Sequence, residues 1–341
     1  MEISSISESF RRFADKECRG SSRLYEQLSG RIAGDDDLLR IAAASREGQP
    51  IPNLFLGAVH LLLLSGFEHE LVDYYASIVP NPKDAAAAFD PFKHFCLLYR
   101  DELAQLLATK LVQTNEVRRC AYLYPAFCLI HRLSNKPLAL IEVGTSAGLQ
   151  LFWDQYRYSY DPVDGFFGNQ QSSFTLATSL RGSNMPFLYS DSPPVASRLG
   201  IDLHVNQLQY SEDRLWMKAL IWPEHRERME HFEVAASNFD NQAVQLIEDN
   251  ALACLDSAAA TIAEDHALCI FHTHVANQLS LADKQQLCEQ IRIIGETREV
   301  YHLYNNMWDA DLYLDSYRNG RFHRSSLAET DGHARWLKWK L

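Results

Sequence analysis

Apolar positions in the first 135 residues recur at helical spacing: Phe10, Phe13 and Cys18, then Leu24, Leu28 and Ile32. Pro52 and Asn53 open NLFLGAVHLLLLSG, a run apolar nearly all round, which predicts a buried helix ending at Gly66. NPKDAAAAFDP, near residues 81–91, predicts a surface connection, with further helices over 92–111 and 116–133. The pattern changes at Lys136–Pro137. LALIEVG is a short apolar run closed by glycine, as a buried parallel strand requires, and a helix is expected over 147–156. Residues 160–193, rich in Ser, Gly, Pro and aromatics, predict an insertion containing a hairpin.

Downstream, VASRLGIDL, AVQLI, ALCIFHT and EVYHLYN read as strands. They alternate with helices over 214–237 (broken near Pro223), 251–262 and 281–294. Such alternation implies a mostly parallel sheet with right-handed crossovers. The tail differs: DLYLDSY, RFHRSSLAE and HARWLKW are joined at Asn319-Gly320 and Asp331-Gly332, the strongest short hairpin signals. The expectation is an α/β protein. A helical domain over 1–135 precedes a Rossmann-like domain over 136–341, whose mostly parallel sheet ends in an antiparallel hairpin.

Composition narrows the function. The 341 residues, 47% hydrophobic and 22% charged, suffice for two folded domains. The net charge of −12, with no Lys/Arg stripe, argues against a general nucleic-acid binder. Seven scattered cysteines without a CxxC pair read as core thiols in a reducing compartment. The amino terminus has no apolar signal region, and the Leu54–Leu64 run, interrupted by His60, is too short to span a bilayer. The reading is a cytoplasmic protein with a small-molecule substrate and no membrane partner.

The candidate chemistry sits at the ends of the strands. Glu142, Gly144, Thr145, Ser146 and Gly148 fill the turn after the first strand, where small residues let the backbone approach a ligand and the next helix offers N–H groups. This turn resembles the acidic-x-Gly-x-Gly-x-Gly motif of S-adenosylmethionine methyltransferases, with Ser146 in the middle glycine position. The resemblance implies S-adenosylmethionine as cofactor, Asp202 on its ribose hydroxyls, and Asp249 and Asn250 near its adenine. The plainer alternative is a tight turn that binds nothing. The same residues also spell G-x-S-x-G, which makes Ser146 a rival hydrolase nucleophile.

His272 and His274 follow the strand ALCIF, where open α/β sheets bind ligands. One of them is the candidate to touch substrate or act as a base, the plainer alternative being a hydrogen-bonded strand-end histidine; as a metal pair they lack a third ligand. Asn115, Glu116 and Arg118 form a dense polar cluster that either caps a helix or faces the cleft.

Five stretches, SSRLYEQL, PIPNLFLGAVHLLL, QTNEVRRCAYLYPA, LALIEVGTSAGLQLFWDQYRY and ALIWPEHRER, resemble an uncharacterised bacterial family, DUF2332, as does the closing HARWLKW. The resemblance covers almost the whole chain. It implies a helical region joined to a Rossmann-like domain and carries no reaction with it. The leading functional expectation is an S-adenosylmethionine-dependent methyltransferase acting on a small molecule. Its rivals are a catalytically silent cofactor-binding or interaction protein, a nicotinamide oxidoreductase, and a serine hydrolase using Ser146.

Overall fold

The computed structural model describes residues 2–239 and 243–341, the side chain of Asn238 excepted. Among these residues, six α-helices come first: α1 (Ile3–Phe13), α2 (Arg23–Ile32), α3 (Asp36–Ala42), α4 (Ile51–Leu64), α5 (Phe89–Leu98) and α6 (Arg100–Thr109). Ser22 and Asp35 start α2 and α3 by accepting the amides of Tyr25 and Leu38. Pro52 lies in the first turn of α4, where its missing N–H leaves nothing unpaired, and the helix is buried almost throughout. The one helix expected over 92–111 is two, because the backbone leaves the helical region at Tyr99 (φ −109°, ψ 33°). Next comes α7 (Cys120–Ser134), ended by Asn135 in the left-handed conformation.

Strands β1 (Leu138–Val143), β2 (Arg157–Asp161), β3 (Val163–Gly168), β4 (Thr175–Leu180) and β5 (Val195–Asp202) come after it. Helices α8 (Ser211–Ala219) and α9 (Arg226–Phe239) lead to β6 (Gln245–Glu248). Then come α10 (Ala251–Ala260), β7 (Ala267–His272), α11 (Leu281–Thr297) and β8 (Val300–Tyr304). The chain ends in a meander: β9 (Leu312–Arg318), β10 (Arg321–Thr330) and β11 (Trp336–Trp339). No helix among the described residues is long and apolar enough to cross a membrane.

These elements form two compact units, Met1–Thr114 with Gln209–Phe232 and Asn115–Leu208 with Glu233–Leu341. The first break falls at 114/115 rather than at the change of pattern near residue 135. Helix α7 groups with the sheet because Phe127 stacks on Trp153 (4.5 Å) and meets Phe271 edge-on. Helix α8 groups with the first six helices because Leu220 and Trp216 fill the space over Gly57 of α4. The first unit is thus all helical, its core running through Phe10, Phe55 and Phe92 in edge-to-face contact.

Among the described residues, the second unit is built on one eleven-stranded sheet, in the order β3-β2-β4-β11-β10-β9-β8-β7-β1-β5-β6. Strands β6, β5, β1, β7 and β8 are mutually parallel. In order of appearance they run 3-2-1-4-5, a doubly wound arrangement that changes direction between β1 and β7. Every residue of β1 is buried, as the apolar run predicts for a strand with covered faces. One face is packed by Leu255 and Ala258 of α10 and Ile291 and Ile294 of α11; α7 covers the other. The tail pairs antiparallel, and Asn319 and Gly320 both take positive φ, as the Asn-Gly signal requires. Residues 160–193, between β1 and β5, the first two of the five parallel strands in the chain, complete the antiparallel pair β2–β3 and extend the same sheet: β4 pairs with β2 and β11, and β3 forms the far edge.

Candidate functional site

A doubly wound sheet opens a crevice outside the carboxyl ends of the strands where its winding reverses. Here that point lies beyond β1 and β7, and the turn after β1 stands at it. Gly144, Ser146 and Gly148 take φ of 73°, 53° and 78°, so the chain folds back on itself within five residues. Glu142, near the end of β1, is buried and accepts the Thr145 hydroxyl at 2.7 Å. Burial pushes its carboxyl well above the ordinary range; the Thr145 bond opposes that shift, and Asp202 adds to it.

Asp202, at the end of β5, closes onto the same turn. Its Oδ2 accepts the Ser146 N–H at 2.7 Å and its Oδ1 accepts the His204 N–H at 3.2 Å. The Ser146 hydroxyl accepts from the Asn206 amide at 3.1 Å. Asn115 braces the other side: its Nδ2 donates to the Thr145 carbonyl (3.1 Å) and its Oδ1 accepts the Leu149 N–H (2.8 Å). In place of the α-helix expected over 147–156, the chain forms a seven-residue 3-10 helix, Leu149–Gln155, kinked at Phe152. Its leading N–H is taken by Asn115 rather than offered to a ligand.

The glycines, too, serve the chain itself. A Cβ on Gly144 would collide with the side chain of Val275, and one on Gly148 would press on Leu246 at 3.1 Å. At the end of β6, Asp249 is exposed and its N–H donates to the Asp202 carbonyl (2.9 Å). Asn250 accepts the Leu252 N–H (3.0 Å) and caps α10, which accounts for its presence without a ligand.

The two histidines part company. His272 is buried in the sheet, with its Nε2 3.1 Å from Nε2 of His302 on β8. It is the last residue of β7, so it stands at the strand end as expected, but buried and paired with another histidine rather than facing the crevice. His274 does reach the edge. It holds φ 57° and donates its N–H to Asn305 at 3.0 Å. Burial, reinforced by Arg119 and His333, pushes its imidazole down to about 3 and keeps it neutral.

Glu116 accepts the Arg118 N–H at the start of the 3-10 turn Val117–Arg119, so within the cluster Glu116 is the cap of that turn. The Arg118 guanidinium reaches the Ala177 carbonyl on β4 (2.8 Å). Among the described residues, no group of three or more His, Cys, Asp or Glu side chains is placed to hold a metal.

Sequence reading missed a polar lattice that ties this edge together. Gln150 accepts the Thr273 hydroxyl (2.9 Å) and donates to the Glu116 carbonyl (3.3 Å). Asn305 donates to the Tyr122 hydroxyl (3.2 Å), and Arg119 donates to the Gly332 carbonyl (3.1 Å). His333 Nδ1 stands 3.4 Å from Glu116 Oε2. Its signal was present: His333 opens HARWLKW, a stretch that carries the family resemblance. Asp331-Gly332 speaks for a hairpin and says nothing of where the turn lies.

Four non-glycine residues in left-handed backbone, Ser146, His274, Asn306 and Ala334, come after β1, β7, β8 and β10. Strained backbone of this kind gathers where the surroundings over-determine it, and functional sites are the common place.

No curated protein and no solved structure matches the chain. A family model described as "Uncharacterized protein conserved in bacteria (DUF2332)" matches residues 7–339, so the chain belongs to that family.

Proposed function

We propose that the second unit is a small-molecule enzyme that uses S-adenosylmethionine and transfers its methyl group. One observation supports this reading above the others. Glu142, Asp202 and Asp249 lie at the carboxyl ends of three adjacent parallel strands, beside a glycine turn at the winding reversal. By the resemblance of the turn, Asp202 would meet the ribose hydroxyls and Asp249 the adenine amino group. The cofactor, when bound, supplies an activated methyl group. Asp249 is exposed and Asp202 half-buried at these strand ends, while Glu142 is buried on Thr145 and the face of the turn over Gly144 is covered by Val275, so neither of these fits such a ligand. Of the two histidines after β7, His274 is the one nearer the edge, and the net charge of −12 fits a small substrate better than nucleic acid. We place the protein in the cytoplasm, where seven free thiols persist.

A second reading has an observation of its own. The Ser146 and Leu149 N–H groups are already bonded to Asp202 and Asn115, as in a turn that binds nothing. That favours a catalytically silent protein that keeps the fold.

Calorimetric titration with S-adenosylmethionine, S-adenosylhomocysteine and NAD, in parallel, separates the two. The enzyme reading expects the first two to bind and Asp202→Ala to weaken them by about 1–3 kcal/mol, the range for a charged hydrogen-bond partner. Heat from NAD alone moves the protein to the oxidoreductases. Heat from none of the three removes the methyltransferase reading and leaves the silent one.

A further inference from the structure

We propose that His333 is the general base of this site, oriented by the buried carboxylate of Glu116. The inference rests on the reading that the sheet edge holds a substrate, and it does not depend on which cofactor binds. His333 Nδ1 and Glu116 Oε2 are 3.4 Å apart, with the Glu116 side chain 3% exposed and the His333 side chain 47% exposed. A fixed, buried carboxylate against one ring nitrogen of a half-exposed imidazole is the arrangement of an oriented base. The separation exceeds a made hydrogen bond, and such contacts tighten once substrate is bound.

Both partners are held from behind. Glu116 is anchored through its own Oε1 on the Arg118 N–H and through its carbonyl on Gln150. His333 rides on a tight turn: its N–H and that of Arg335 donate to Asp331 Oδ2, Ala334 N–H returns to the Asp331 carbonyl, and Arg119 grips the Gly332 carbonyl. Ala334 takes φ 55° to make this turn, the strain expected where a side chain has to be aimed. His274 is the weaker candidate. It lies beside Gly332, but it is mostly buried and close to Arg119, so a proton on it is opposed.

The step is a single proton transfer. A substrate O–H or N–H gives its proton to His333 Nε2, and the bonding pair stays on the substrate oxygen or nitrogen as the nucleophile. The imidazolium keeps its Nδ1 proton toward Glu116, whose negative charge balances it.

Site-resolved acylation with diethyl pyrocarbonate at mildly alkaline pH, read by mass spectrometry, tests this without a substrate. His323, exposed on β10, is the internal reference. His333 is expected to react several-fold faster than His323, and Glu116→Gln to bring it down to the His323 rate. A merely structural ion pair predicts the opposite, since a protonated ring reacts slowly. A wild-type His333 no faster than His323, or an unchanged His333 rate in folded Glu116→Gln, overturns the proposal. Should Glu116→Gln not fold, the wild-type comparison decides alone. Because no cofactor enters the assay, its failure and that of the titration above are separate events.

Discussion

At the scale of single residues, the turn after β1 has two kinds of glycine argument behind it, and they predict different mutants. If Gly144 served only a ligand, a larger side chain would leave the fold intact. Its positive φ and the Val275 side chain facing it say otherwise. Left-handed backbone costs a β-branched residue about 1–2 kcal/mol, and overpacking adds about 1–3 kcal/mol. Gly144→Val should therefore lower the urea midpoint sharply, and Val275→Ala should recover the packing share. Independent, additive effects of the two substitutions would show that they do not meet. Ser146→Ala removes the hydroxyl that accepts from Asn206, a loss of roughly 0.5–1.5 kcal/mol. No fluorophosphonate labelling is expected at Ser146. Specific labelling there would bring the hydrolase forward, since covalent chemistry needs that oxygen.

At the scale of elements, local pattern carried far. The five parallel strands, the capped helices and the Asn-Gly hairpin arise from apolar runs, cap residues and turn residues that act within a few positions of one another. What depends on distant partners did not show. Strand β4 pairs with nearby β2 and also with β11, far down the chain, so local pattern does not show that 160–193 joins the main sheet. The stretch after Gly148 has a helical pattern, yet Asn115 holds Leu149 and the turn tightens to 3-10. The site split the same way. The positions of Glu142, Asp202 and His274 at or just past strand ends follow from the apolar runs before them. That His333 and Arg119 meet near Glu116 does not follow from local pattern, because only the fold brings the terminal turn there.

Helix α11 gives a test at this scale. Glycine inside a helix ordinarily costs about 0.5–1 kcal/mol relative to alanine, so Gly295→Ala would stabilise a free helix. Here a Cβ at 295 would strike the Tyr317 ring on β9. The expected outcome in urea unfolding is a net loss. A gain in stability would mean that α11 has room to move off the sheet.

For the molecule as a whole, buried histidines contribute to the response to acid. His60, inside the helical unit, has Nδ1 2.9 Å from the Ala219 carbonyl and Nε2 2.8 Å from the Ser77 hydroxyl. The carbonyl can only accept, so Nδ1 carries the proton and Nε2 takes the Ser77 hydroxyl hydrogen. Burial pushes this imidazole down to about 4 from an ordinary 6.5, against the pull of the Ala219 carbonyl. In the sheet unit, His302 is pushed down to about 3 by burial and by Arg324, and its neighbour His272 moves in the same direction.

Proton counting gives the sign. Between about pH 6.5 and pH 4 the unfolded chain holds a proton at residue 60 that the folded chain does not, so stability falls as pH falls across that window. Above it His60 contributes no pH dependence, and below about pH 4 its contribution levels off. Each pH unit inside the window is worth about 1.4 kcal/mol per histidine, so His60 alone should cost about 2 kcal/mol at pH 5. His60→Gln lowers stability at every pH by losing its bonds, but it should flatten the slope between pH 7 and pH 5 by that amount, leaving the share of the other depressed histidines, His272, His274 and His302 among them. Urea unfolding of both proteins across the range measures the difference directly. Parallel curves would mean that His60 titrates alike in both states, and that the packing of α4 around it opens to water.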